Sequence, residues 1–146
     1  MKILVYCLLL STTVLADEKS RFLLKDTNIS VVEAGKKVYG TYCAACHGKY
    51  LQGQPNWETF GADGRLPAPP HDESGHTWHH PDEYLFLMTK YGIEKIIGKK
   101  YLNNMPAYKD ILTDKEIIAV LSFIKSKWPN QIQDIHNNLN VRSKLN

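Results

Sequence analysis

Residues 43–47 read Cys43-Ala44-Ala45-Cys46-His47, a C-x-x-C-H run. Two thiols separated by two residues face the same side of the backbone. They can add across the two vinyl groups on one edge of a haem, and the next residue, His47, then aims its imidazole at the iron. Three other uses of the same residues fit less well. A thioredoxin-like C-x-x-C needs a βαβ setting, and the flanks here read as helix and loop. A zinc site needs a second ligand pair, which the remaining cysteine, Cys7, cannot supply. A disulfide between Cys43 and Cys46 is geometrically poor and leaves His47 without a role. Covalent c-type haem attachment, one haem for one motif, uses all three residues.

The flanking sequence is helical. Ser30-Val31-Val32-Glu33 has the form of a capping box and opens a helix to about Tyr42, with Gly35, Val38, Tyr39 and Tyr42 at helical spacing. Thr113-Asp114-Lys115-Glu116 is a second capping box. It opens a helix to Trp128, stopped by Pro129, whose main apolar stripe is Ile117, Ile118, Leu121, Ile124 and Trp128. A third helix starts at Pro81, a favourable first helical residue, with Asp82 and Glu83 at its positive end and Gly92 after its last turn. No long stretch alternates apolar and β-branched with polar residues, so the expected class is all-α: three main helices plus long loops around one haem. Residues 48–78 are rich in Gly, Pro, Asn and Asp. So long a loop is unusual in a small domain, unless it packs on a macrocycle that supplies part of the core. Past Pro129 the chain is polar, and a short docked helix with a frayed end is expected.

The chain has 146 residues, 43% hydrophobic and 23% charged, which suits one ordinary domain. No run of 18 apolar residues suggests a membrane span, and a formal charge of +3 is weak support for nucleic-acid binding. The first residues have the pattern of a secretory signal: Lys2, then an apolar run from Ile3 to Leu10, then Val14-Leu15-Ala16 before Asp17. A lipoprotein site at Cys7 is disfavoured by the bulky Tyr6. Cleavage after Ala16 predicts a periplasmic protein whose only cysteines are Cys43 and Cys46. The expected layout is a signal peptide (1–16), an N-terminal extension (17–29), the haem domain (30–128) and a tail (129–146).

A sixth iron ligand follows by elimination. After cleavage the methionines are Met88 and Met105. Met88 falls within the third helix, where packing occupies it. Met105 lies in Asn103-Asn104-Met105-Pro106-Ala107-Tyr108, and Pro106 keeps it extended, so it can project from a loop. His47/Met105 ligation raises the potential and fills both axial positions. Such iron passes electrons and does not readily bind substrate.

From Ser30 to Trp128 the chain resembles a class I mono-haem bacterial cytochrome c. Gly35 and Tyr39 resemble that family's glycine–aromatic pair, which packs on the C-terminal helix, here through Val120, Leu121 and Phe123. Pro69 resembles the proline whose carbonyl accepts the Nδ1–H of the proximal histidine, with Pro67 and Pro70 as alternatives. Trp78 resembles a tryptophan that reaches a haem propionate. The resemblance implies a periplasmic electron carrier rather than an enzyme.

The His-rich segment is more particular. His71, His76, His79 and His80 lie within ten residues, beside Asp72, Glu73 and Asp82. Imidazoles suit copper or zinc, so a metal-handling role is one alternative. Propionate hydrogen bonding, helix capping or solvent exposure is the other use of these side chains. A haem enzyme or sensor would require Met105 to be off the iron. Trp57, Phe60 and Tyr101 read as haem-pocket or loop-packing residues. Residues 52–89 carry a net −5 and residues 90–127 a net +4. A lysine-bearing face near Met105 would steer transient, acidic redox partners.

Overall fold

The structure, a computed structural model, describes residues 23–144. The expected signal peptide and residues 17–22 of the N-terminal extension lie outside these residues. Helix α1 (Ile29–Tyr42) leads into the C-x-x-C-H run. Its N-cap is Asn28, whose side chain accepts from the Val31 N–H. Ser30 is therefore not the cap, and the expected Ser30/Glu33 box does not define the start. Asn is as good an N-cap as Ser, and Asn28 comes first along the chain. Ser30 instead donates its hydroxyl to Asn28 Oδ1 at 3.2 Å.

A single turn, α2 (Ala44–His47), follows and ends at Gly48, whose φ of 81° suits glycine. Helix α3 (Asp82–Tyr91) has Pro81 as its N-cap, one position before the expected role, and Gly92 as its C-cap. A short α4 (Ile93–Ile97) comes next, unannounced by periodicity in five residues. Helix α5 (Asp114–Lys125) forms the predicted capping box between Thr113 and Glu116. It ends earlier than expected, and Trp128 sits on the turns beyond it, buried. Helix α6 (Asn130–Ser143) is a full 14 residues rather than a short helix with a frayed end. The class is all-α, with no strand among the described residues, and no helix there is long and apolar enough to cross a membrane.

The core is built where α1 meets α5. A Cβ on Gly35 would lie 1.9 Å from the Ala119 carbonyl oxygen, so only glycine lets the two backbones approach this closely. One turn later the Tyr39 and Phe123 rings pack at 5.4 Å. Ile117, Val120, Leu121 and Ile124 of α5 complete this centre with Leu51, Leu85, Tyr108, Leu112 and Trp128.

Helix α6 packs Ile132 against the core but buries polar residues most deeply. His136 and Asn140 are its fully buried residues. The Asn140 side chain accepts from the Asp82 N–H at 2.7 Å and donates to Asp82 Oδ1 at 2.9 Å. The Leu24 N–H donates to the other carboxylate oxygen at 3.0 Å. His136 Nε2 donates to the His80 carbonyl at 2.9 Å. Leu24 and α6 thus meet at the start of α3 and fix the loop that enters it. Lys125, also buried, bonds Asn137 at 2.6 Å and lies 3.4 Å from Asp26.

Candidate functional site

The C-x-x-C-H turn leaves α1 directly into α2. Cys43 is half-buried and Cys46 exposed, and neither is joined in a disulfide. Burial, with a smaller contribution from Cys46, pushes the Cys43 thiol up to about 11. A redox-active C-x-x-C works in the opposite sense, with a lowered thiol pKa. Tyr39 braces the turn: its hydroxyl donates to the Gly48 carbonyl at 2.8 Å.

His47 is buried, and its Nδ1 donates to the Pro69 carbonyl at 2.8 Å. Of the three prolines the sequence left open, Pro69 is the one that makes this contact. Its position follows from a backbone register. The Gly53 N–H bonds the His47 carbonyl at 2.8 Å, and the Gln54 N–H bonds the Ala68 carbonyl at 2.9 Å. A Cβ on Gly53 would lie 2.4 Å from Pro70 N, so glycine is required for this approach. Burial lowers the His47 pKa despite the Pro69 bond, so the ring is neutral near pH 7. With Nδ1 as donor, Nε2 keeps its lone pair, which is the form that ligates a metal.

His71 stacks on His47 with ring centroids 3.9 Å apart. The His71 Nδ1 and Thr77 Oγ1 share a hydrogen bond of 2.8 Å, and the His71 carbonyl accepts the Trp128 indole N–H at 2.7 Å. Burial, then the His47 and His76 rings, hold the His71 pKa well below its ordinary value. Sequence reasoning grouped His71 with the histidine cluster and missed this contact with His47. Arg65 was also missed. Its Nε is buried without a hydrogen-bond partner, on the loop that carries Pro69, while its Nη1 pairs with Asp63 at 3.4 Å. The available signal was its position as the one arginine in an acid-rich stretch.

Met105 is half-buried and packs on the core, as do Cys43, Ala44, Trp78 and Phe86. Its N–H donates to Asn103 Oδ1 at 3.0 Å, and Asn103 Nδ2 donates to the Tyr101 carbonyl at 2.9 Å. Met88 lies on α3. The Trp78 indole donates to the Glu73 carbonyl at 3.3 Å.

The four clustered histidines go to different ring partners. His76 stacks on Trp57 at 5.5 Å, His80 on Tyr84 at 4.9 Å, and His79 meets Trp78 edge-on at 3.8 Å. A 3₁₀ turn at Thr77–His79 brings His76 and His80 to 5.7 Å, edge-on. Among the described residues no three His, Cys, Asp or Glu side chains are gathered to hold a metal ion. Phe60 is largely exposed, so it packs little against the loop.

The two thiols, the neutral imidazole with an open Nε2, the loop thioether and the unpartnered Arg65 Nε form a set that fits a haem. By their chemistry the cysteines could attach a haem, the histidine and the methionine could bind its iron, and the buried Arg65 N–H could meet a propionate. A family model described as Cytochrome c matches residues 32–128, well over half of the chain. The chain therefore belongs to the cytochrome c family, and it carries one covalent haem c as a haem-based electron carrier. No curated protein and no solved structure matched the chain.

Proposed function

We propose that this chain is a periplasmic, mono-haem electron carrier whose iron is closed at both axial positions. Cys43 and Cys46 form the thioethers, His47 is the proximal ligand and Met105 the distal one. Arg65 donates to a propionate, and Trp78, on the turn that precedes α3, is a second residue proposed to reach one. The haem supplies the Fe(II)/Fe(III) couple. The residues bind and orient it, and keep water and small ligands from the metal. The observation that carries this reading is the 2.8 Å bond from His47 Nδ1 to the Pro69 carbonyl. It fixes the tautomer with Nε2 unprotonated and makes the ring a better donor to iron.

Met105 is preferred to Met88 because it leaves an extended loop while packing against the same core as Cys43. A haem enzyme would need this position open. A copper-handling role through His71, His76, His79 and His80 finds little support in rings of which three stack on His47, Trp57 and Tyr84 and the fourth meets Trp78 edge-on, with only His76 and His80 in mutual contact. The lysines between 90 and 127 support transient docking of acidic redox proteins, with the salt sensitivity of such encounters.

The test is the ferric optical spectrum of protein matured with the c-type assembly machinery. An Fe–S charge-transfer band at long wavelength is expected in the wild type and in Met88→Ala. It is expected to be absent in Met105→Ala, whose potential falls. Survival of the band in Met105→Ala would refute the ligand assignment.

A further inference from the structure

Met105 lies in a stretch that the backbone barely holds. Among the described residues, no backbone–backbone hydrogen bond involves residues 99–107. Side chains shape this stretch instead. Glu94 Oε1 accepts from the Tyr101 N–H at 3.1 Å, and Asn103 spans Tyr101 and Met105. Firm anchorage begins at Tyr108, three residues past Met105. The Tyr108 N–H bonds the Thr89 carbonyl at 3.1 Å, and the Lys109 N–H bonds the Lys90 carbonyl at 2.9 Å. These two bonds fix the loop to the end of α3.

The Tyr108 side chain makes a second attachment, in a different direction. Its ring is buried in the core. Its hydroxyl donates to the Tyr42 carbonyl at 2.9 Å, and its ring meets Tyr42 edge-on at 6.3 Å. Tyr42 is the last residue of α1, so its carbonyl lies beyond the helix's own ladder, and Cys43 follows it immediately. One hydroxyl therefore joins the methionine loop to the residue before the first haem cysteine.

We propose that Tyr108 is a positioning residue for Met105: through the Tyr42 carbonyl it sets the distance between the methionine loop and the haem-attachment turn, and so holds the thioether on the iron. This rests on the assignment of Met105 as distal ligand. A six-coordinate iron exchanges electrons with little rearrangement only if both ligands keep their places in both oxidation states. His47 is fixed by Pro69 and its own short helix. Met105 has no such backbone support, so the constraint comes from the nearest buried anchor on its loop.

The experiment uses the matured ferric holoprotein with imidazole as competing ligand, following loss of the Fe–S band. Tyr108→Phe keeps the ring and removes only the hydroxyl. It is expected to retain the band without imidazole, but to lose it to imidazole about fivefold more readily, the factor that one lost neutral hydrogen bond represents. Ser122→Ala removes a buried hydroxyl away from the loop, where Ser122 Oγ accepts from the Lys25 N–H at 2.8 Å and donates to the Ile118 carbonyl at 2.6 Å. That variant is expected to lower the unfolding midpoint while keeping the wild-type imidazole affinity, which separates positioning from general stability. Equal imidazole affinity in wild type and Tyr108→Phe, with the band present in both, would overturn the role of Tyr108 alone. Equal shifts in Tyr108→Phe and Ser122→Ala would overturn it as well. A wild-type spectrum without the band, unchanged by Met105→Ala, would overturn both the ligand assignment and this proposal.

Discussion

An imidazole binds iron through an unprotonated ring nitrogen; burial keeps His47 neutral, and its Nδ1–H donates to the Pro69 carbonyl. The remaining polar need at this scale is Arg65 Nε, buried and without a partner. Leaving such a donor unmet costs about 1–3 kcal/mol, and in the proposed site a haem propionate would remove that cost. A guanidinium there would also favour the reduced haem, whose net charge is one unit more negative. Arg65→Gln is therefore expected to lower the potential by some tens of millivolts, on the scale where ~59 mV is tenfold for one electron. Redox titration of the matured variant checks this, and an unchanged potential would remove Arg65 from the site. The covalent haem was legible in the sequence because the chemistry of the C-x-x-C-H run is carried by residue type and spacing. His71 and Arg65 were not, because a stacking contact and a missing partner exist only once the loop is folded.

At the scale of elements, the α1–α5 contact rests on one hydrogen atom in place of a methyl group. Gly35→Ala would press a Cβ into the Ala119 backbone, which cannot yield as a flexible side chain can. A loss of about 1–3 kcal/mol is expected from such overpacking, read by denaturant unfolding; wild-type stability would mean that the helices do not meet as described. Helix α6 makes the contrasting case. Asn140→Ala leaves the Asp82 N–H and one carboxylate oxygen without their Asn140 partner, with an expected cost of about 1–3 kcal/mol. The apolar stripe of α5 and the Thr113 capping box could be read directly, since both are local patterns. Helix α6 was underestimated because its buried positions, His136 and Asn140, are polar and mark no hydrophobic face. The start of α1 was misplaced by two acceptable N-caps lying two residues apart. The path of residues 48–76 was illegible because it depends on close approaches at Gly53 and Gly75, which periodicity does not encode.

For the whole molecule, the buried histidines set a pH dependence. Burial lowers the His136 pKa below the ordinary 6.5, outweighing the nearby Asp82 carboxylate. His80, half-buried, is lowered too, mainly by burial. Below 6.5 the unfolded chain takes up protons that the folded protein refuses, so stability is greatest above that pH and falls as pH drops through it. A thermal midpoint that decreases from pH 7.5 toward 5.5 is expected, with a shallower decrease in His136→Gln. A midpoint that rises on acidification would contradict the sign. At this scale the proposed function makes the chain a scaffold that would hold iron between His47 and Met105 and leave it no vacant position. Carbon monoxide tests that most directly, because it binds ferrous haem wherever a coordination position is open. The dithionite-reduced, matured wild-type protein is predicted to keep its spectrum unchanged under carbon monoxide, whereas a prompt shift to a carbonyl-haem spectrum would contradict a closed, electron-carrying iron.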